Sequence, residues 1–129
     1  MNRTTSRSDT MNGADFEKLV SQTLSSKGWW SYRTPLRKGQ PFDLITCKDG
    51  KCVMYEMKHR DKKTFSLSDV EINQIASIQA LAQANIPFYF IIGNDEGAWI
   101  FPAAKIYDLL TQGVKSIKYE QEGELWAKW

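Results

Sequence analysis

The sequence predicts an α/β fold: a mixed central β-sheet flanked by helices, in the order α-β-β-β-α-β-β-α. Three observations carry this. Residues 13–27 repeat apolar side chains at helical spacing, residues 42–58 read as two strands about an Asp-Gly turn, and a second helical segment separates them from the apolar run 88–92. The length of 129 residues is one domain's worth. We expect residues 1–11 (MNRTTSRSDTM) to be a flexible arm and residues 12–129 to form a single domain.

Asn12 offers a helix cap with Asp15 three positions on. Phe16, Leu19, Val20 and Leu24 follow at helical spacing, and Gly28 stands at a C′ position, so one amphipathic helix spans about 13–27. Glu17 lies one residue round from Phe16, at the margin of the buried stripe. Trp29–Thr34 is rich in β-favouring aromatics and reads as a first strand, followed by a basic loop from Pro35 to Pro41. Phe42–Cys47 and Cys52–Lys58 are strands joined through Lys48-Asp49-Gly50-Lys51, since a type I′ turn needs positive φ at both central residues. Ser66-Leu67-Ser68 opens a second helix, with Ser68 and Glu71 in a capping-box pattern. Ile72, Ile75, Ile78 (or Ala76), Leu81 and Ala82 carry it to about Asn85. Phe88–Ile92 suits a buried strand, Ala98–Phe101 pairs with it across Gly93–Gly97, and Ala103–Leu110 is a short helix. The tail, Val114–Trp129, alternates as a strand or hairpin would.

Composition narrows the class. Hydrophobic residues make up 42% and charged residues 25%, ordinary globular usage. No apolar run approaches the ~18 residues a membrane-spanning helix needs, and the start lacks a signal-peptide apolar stretch. Two cysteines and one histidine exclude a disulfide scaffold, and a four-ligand zinc site would need carboxylates as well. The expectation is a soluble cytoplasmic protein of a bacterial, archaeal or virus-infected host cell. The net charge of +2 hides an asymmetry: 13 of the 17 Lys and Arg precede residue 64, against 7 of the 15 Asp and Glu. Either one face is basic enough to bind a polyanion, or the surface is unevenly solvated.

The hairpin carries the chemistry. With Asp49-Gly50 as the turn, Lys48 faces Lys51, Cys47 faces Cys52 and Asp43 faces Glu56. The last is a non-hydrogen-bonded pair, with Cα atoms ~4.5 Å apart. Lys58, two residues on, projects from the same face. Two carboxylates ~5 Å apart at an effective dielectric of about 20 repel by about 3 kcal/mol, so something should offset them. A surface ion-pair cluster with Lys58 is one solution. A divalent cation is the other, and all-oxygen ligation suits Mg²⁺ or Mn²⁺. The basic neighbours and Glu17 on the preceding helix favour the cation.

Glu17 in a leading helix, Pro41-Phe42-Asp43, and then Glu56-Met57-Lys58 resemble the PD-(D/E)XK nuclease signature. The helix–strand–hairpin order resembles that superfamily's restriction-endonuclease-like core. Within it, the chain is most similar to Holliday-junction resolvases of the RecU type and their archaeal relatives, over about Asn12–Phe101, including Phe65-Ser66-Leu67 and the Gln74-bearing helix. RecU-type enzymes carry a long stalk between early strands. Only Thr34–Gln40 fills that space here, which is closer to the archaeal pattern.

The resemblance implies metal-dependent, in-line phosphodiester hydrolysis. Asp43 and Glu56 would ligate the metal with the backbone carbonyl of Met57, and Glu17 would bind it directly or through water. Lys58 would orient or activate the attacking water, and Gln74 would be a polar helix residue near the metal. The cofactor would be Mg²⁺, with Mn²⁺ able to substitute, and no small-molecule cofactor is implied. Paired nicks across a four-way junction imply a homodimer. Beside such a site, Arg33, Arg37, Lys38, Arg60, Lys62 and Lys63 would form a cationic rim for phosphate contacts, which fix position rather than sequence.

Other residues have plainer readings. His59 points to the face opposite Lys58 and reads as a surface residue. Cys47 and Cys52 could form a disulfide, but in a reducing cytosol they read as two small buried thiols. Trp29, Trp30, Tyr32 and Trp99 read as core or dimer-interface material, and an exposed Trp126 and Trp129 would suggest a partner surface. The leading expectation is a structure-selective endonuclease of four-way junctions. The competing ones are a flap, branched-DNA or duplex nuclease, and a non-cleaving DNA-binding accessory protein. Sequence-specific restriction cleavage is disfavoured, because little chain is left over for a base-reading insertion.

Overall fold

The computed structural model describes residues 11–35 and 40–129. The expected arm at 1–11 therefore lies outside the described residues except for Met11, as do Arg37 and Lys38. Helix α1 (Gly13–Ser26) starts where its cap predicts. The Asn12 side chain accepts from the Asp15 N–H at 2.8 Å and the Asp15 carboxylate accepts from the Asn12 N–H at 3.3 Å. Gly28, at φ +88°, lets the chain leave the helix. Phe16, Val20 and Leu24 are the buried stripe.

Strands β1 (Trp30–Arg33), β2 (Leu44–Lys48) and β3 (Lys51–His59) follow as an antiparallel meander. Asp49 and Gly50 both take positive φ, and the register runs from Lys48↔Lys51 through Cys47↔Cys52 to Leu44↔Tyr55, as expected. Strand β3 then pairs in parallel with β5 (Phe88–Gly93). A parallel neighbour requires a crossover, and here it contains β4 (Phe65–Ser66) and helix α2 (Ile72–Gln83). Strand β6 (Gly97–Pro102) and helix α3 (Ala103–Thr111) come next, then β7 (Ser116–Ile117), α4 (Tyr119–Glu122) and β8 (Glu124–Lys128). The main sheet has the order β1-β2-β3-β5-β6-β8, and β4 pairs with β7 in a small second sheet.

The sheet separates two apolar clusters. One face packs under α1, with Phe16, Val20, Leu24, Leu44, Met57, Ile91 and Ala98. The other packs under α2 and α3, with Ile78, Phe90, Ile92, Phe101 and Ile106. Four successive residues of β3, Met54–Met57, are consequently buried, as expected of a strand covered on both faces. Among the described residues, no helix is long and apolar enough to cross a membrane.

Four expectations are corrected. The second helix begins at Ile72, not near Ser66; residues 65–66 pair with β7 and Leu67–Asp69 form a 3-10 turn. Its capping box is Glu71 with Gln74, so Ile72 is 83% exposed and the inner face is Gln74, Ser77 and Ile78. The tail is interrupted by α4 before β8 closes the sheet edge, because Tyr119 turns inward, fully buried. Trp99 is core, but the core alternative fails for Trp30 and Tyr32, which are exposed on edge strand β1, their rings stacked with centroids 6.4 Å apart. The two thiols are not buried either: Cys52 is exposed and Cys47 half-buried.

Candidate active site

Asp43 sits one residue outside β2, where the ladder breaks. Its N–H donates to the Tyr55 carbonyl at 3.0 Å, while its Oδ2 accepts from the Met57 N–H at 2.8 Å. The carboxylate thus occupies the place a strand carbonyl would take, which anchors it beside β3. Thr34 secures the same segment: its N–H and its hydroxyl both donate to the Asp43 carbonyl. Gln40 Nε2 donates to the other carboxylate oxygen at 3.2 Å, and Asn73 on α2 donates to the Gln40 carbonyl.

Glu56 projects from β3 toward α2 and is 3% exposed. Gln74 Nε2 donates to its Oε2 at 2.8 Å, and the Lys58 ammonium stands 3.5 Å from the same oxygen. Lys58 also donates to the Asp69 carbonyl at 3.1 Å, which fixes the ammonium between the crossover and the acid. Burial, and then the Asp43 carboxylate, push the Glu56 carboxyl up to about 9; Lys58 opposes them only in part. One ammonium does not balance two acids.

Hence Asp43, Glu56, Lys58 and Gln74 come together, with the Met57 backbone between the acids. Glu17 is engaged elsewhere: its carboxylate accepts from the Arg33 guanidinium at 2.6 Å. Among the described residues no group of three or more His, Cys, Asp or Glu is gathered to hold a metal. An acid pair that cannot ionise fully beside a single ammonium nevertheless fits a hard dication. Magnesium in particular is held by one or two carboxylates together with substrate phosphates and waters. Arg60 pairs with Asp69 at 3.0 Å beside Lys58, Lys62 is exposed, and Lys63 is shared between Glu96 and Glu120. His59 turns to the α1 face, against Phe16 and within 3.2 Å of Asp95.

Sequence reading did not single out Gln40, Asp69 or Asn73. Asp69 acts through its backbone carbonyl and Asn73 through an amide that crosses the fold, while the Gln40 amide reaches Asp43 from only three residues away. The hold of Gln74 on α2 did carry a signal, because its Oε1 accepts from the Glu71 N–H at 3.0 Å in an E-x-x-Q capping box.

No curated protein matches the chain. Among solved structures it is similar to Hjc of Archaeoglobus fulgidus, a Holliday junction resolvase from an archaeal hyperthermophile, with a TM-score of 0.64 and 17% identity over 88% of this chain and 95% of that one. At that identity the likeness concerns the fold, a mixed sheet flanked by helices. The archaeal Holliday junction resolvase (Hjc) family itself matches residues 8–120, and resolvase nucleases of this superfamily generally need a divalent metal. The chain therefore belongs to the archaeal Holliday junction resolvase family, structure-selective nucleases of branched DNA.

Proposed function

We propose that this chain is a Mg²⁺-dependent endonuclease that makes paired nicks in four-way DNA junctions as a homodimer, with Mn²⁺ able to replace Mg²⁺. The observation that carries the reading is the buried Glu56, raised to about 9 beside Asp43, with the Lys58 ammonium 3.5 Å away. A fold gains nothing from that arrangement alone.

Asp43, Glu56 and the Met57 carbonyl would hold the cation, with Glu17 reaching it directly or through water once released from Arg33. When bound, the cation supplies Lewis-acid stabilisation of charge developing on the phosphoryl oxygens. The remaining work belongs to the chain's own groups. Glu56 must give up its proton to become a ligand, and Gln74 keeps the resulting carboxylate oriented through its amide at 2.8 Å. Lys58, held by the Asp69 carbonyl, orients the attacking water and contributes positive charge beside the phosphate. Arg33, Arg60, Lys62 and Lys63, with Arg37 and Lys38, position the DNA backbone. The substrate places this activity in the compartment that holds DNA, the cytoplasm of a prokaryotic or virus-infected cell. Residues 12–129 would form the nuclease domain.

The test is incubation with a labelled four-way junction, a flap and a linear duplex, with Mg²⁺ or with EDTA. We expect paired nicks on the junction in Mg²⁺, and at least ~100-fold slower cutting by Asp43→Asn. Equal cutting of all three DNAs would shift the reading to a general branched-DNA or duplex nuclease. A junction bound in EDTA but uncut in Mg²⁺ and Mn²⁺, or Asp43→Asn cutting like the wild type, would overturn catalysis.

A further inference from the structure

The closed end of the catalytic hairpin carries a second constellation. Cys47 and Cys52 are partners in the register, on the rung next to the Lys48↔Lys51 pair that flanks the turn. In a two-residue hairpin that rung is of the non-hydrogen-bonded type. Its Cα atoms stand about 4.5 Å apart, inside the span of roughly 4.4–6.8 Å that disulfides bridge. Both thiols are free, and their sulfurs lie 2.8 Å apart. The rung is also open. Cys52 is exposed, and Trp30, which pairs with Cys47 from edge strand β1, is 60% exposed. Side chains alternate along a strand. Cys47 and Ile45 therefore share one face of β2, and Cys52, Met54 and Glu56 the same face of β3.

We propose that Cys47 and Cys52 form a solvent-accessible dithiol that low-molecular-weight disulfides of the glutathione class oxidise to an intramolecular disulfide across the hairpin. The exposed Cys52 thiolate attacks one sulfur of the small disulfide, breaking its S–S bond and releasing the first thiol. Cys47 then attacks Cys52 Sγ, forming the protein disulfide and releasing the second thiol. The two electrons lost by the protein reduce the oxidant, and the two thiol protons end on the released thiols. Hydrogen bonding with the Cys52 thiol raises Cys47 above the ordinary thiol range; the first attack is assigned to Cys52 because it is the exposed thiol. The new bond would lock the register that runs from this rung to Leu44↔Tyr55, the pair next to Asp43 and Glu56.

The test uses the full chain, reduced, freed of reductant and held with excess oxidised glutathione without denaturant. Thiol titration and intact mass should show complete loss of both thiols and a mass lower by two hydrogens, with no cross-linked chains on a non-reducing gel. Cys47→Ser should stop at a single glutathione adduct on Cys52, since nothing remains to resolve it. Wild-type chains that keep both thiols, retain glutathione adducts, or link to a second chain would overturn the proposal. So would a Cys47→Ser chain that takes up no glutathione.

Discussion

Glu56→Gln is expected to stabilise the metal-free protein while abolishing its chemistry. The folded carboxyl titrates at about 9, against an ordinary value of 4.5, chiefly through burial and then through Asp43. Between those two values the folded state keeps a proton that the unfolded state has released. The contribution of Glu56 to stability is therefore fully present below about 4.5 and is lost as pH rises toward 9. At about 1.4 kcal/mol per pH unit, the loss reaches about 3 kcal/mol at pH 7 and about 6 kcal/mol at pH 9. Glutamine is neutral throughout and its carbonyl can accept the Gln74 amide now bonded to Glu56. In EDTA at pH 7, Glu56→Gln should thus be about 3 kcal/mol more stable than wild type, on the order of 10 °C in Tm. Urea or thermal denaturation at pH 5, 7 and 9 reads this directly. The gap should open with rising pH, and Mg²⁺ should narrow it by binding only the folded wild type. A variant less stable than wild type at pH 7, or a wild type that gains stability between pH 5 and 9, would refute a charge-deficient acid pair.

Three further outcomes follow from the same geometry. Lys58→Met should cut junctions ~100-fold or more slowly while calorimetric Mg²⁺ affinity falls far less, since the ammonium acts on water and phosphate rather than on the cation. Gln74→Ala removes both the α2 cap and a donor to Glu56, and should cost about 2 kcal/mol in urea denaturation together with weaker Mg²⁺ binding. Gly93→Ala would put a Cβ 2.6 Å from the Phe16 ring and against the Gly97 carbonyl, so denaturation should show a loss of about 1–3 kcal/mol with the site chemistry intact.

How much of this was legible depends on the range of each interaction. The α1 cap, the Asp49-Gly50 turn and the register it imposes are contacts between near neighbours, and all were readable. The start of α2 was misplaced because Ser68 and Glu71 satisfy the same pattern as Glu71 and Gln74. Pairing of residues 65–66 with β7, some fifty positions on, decides between them. The engagement of Glu17 by Arg33 crosses from a helix to an edge strand and leaves no periodic trace. Exposure of Trp30 and Tyr32 follows from β1 lying at the sheet edge, and aromatic content is silent about position in a sheet.

By itself the sequence determined the hairpin that carries both acids and its register as far as Leu44↔Tyr55, because a tight turn transmits its geometry rung by rung. Only the tertiary structure decided how strongly that pair is out of electrostatic balance. Glu56 becomes a buried, proton-holding acid because α2 crosses over it and excludes water, and Asp43 is aimed because the ladder fails at its own position. Solvent exclusion is a property of the whole packed fold, and no window of sequence contains it.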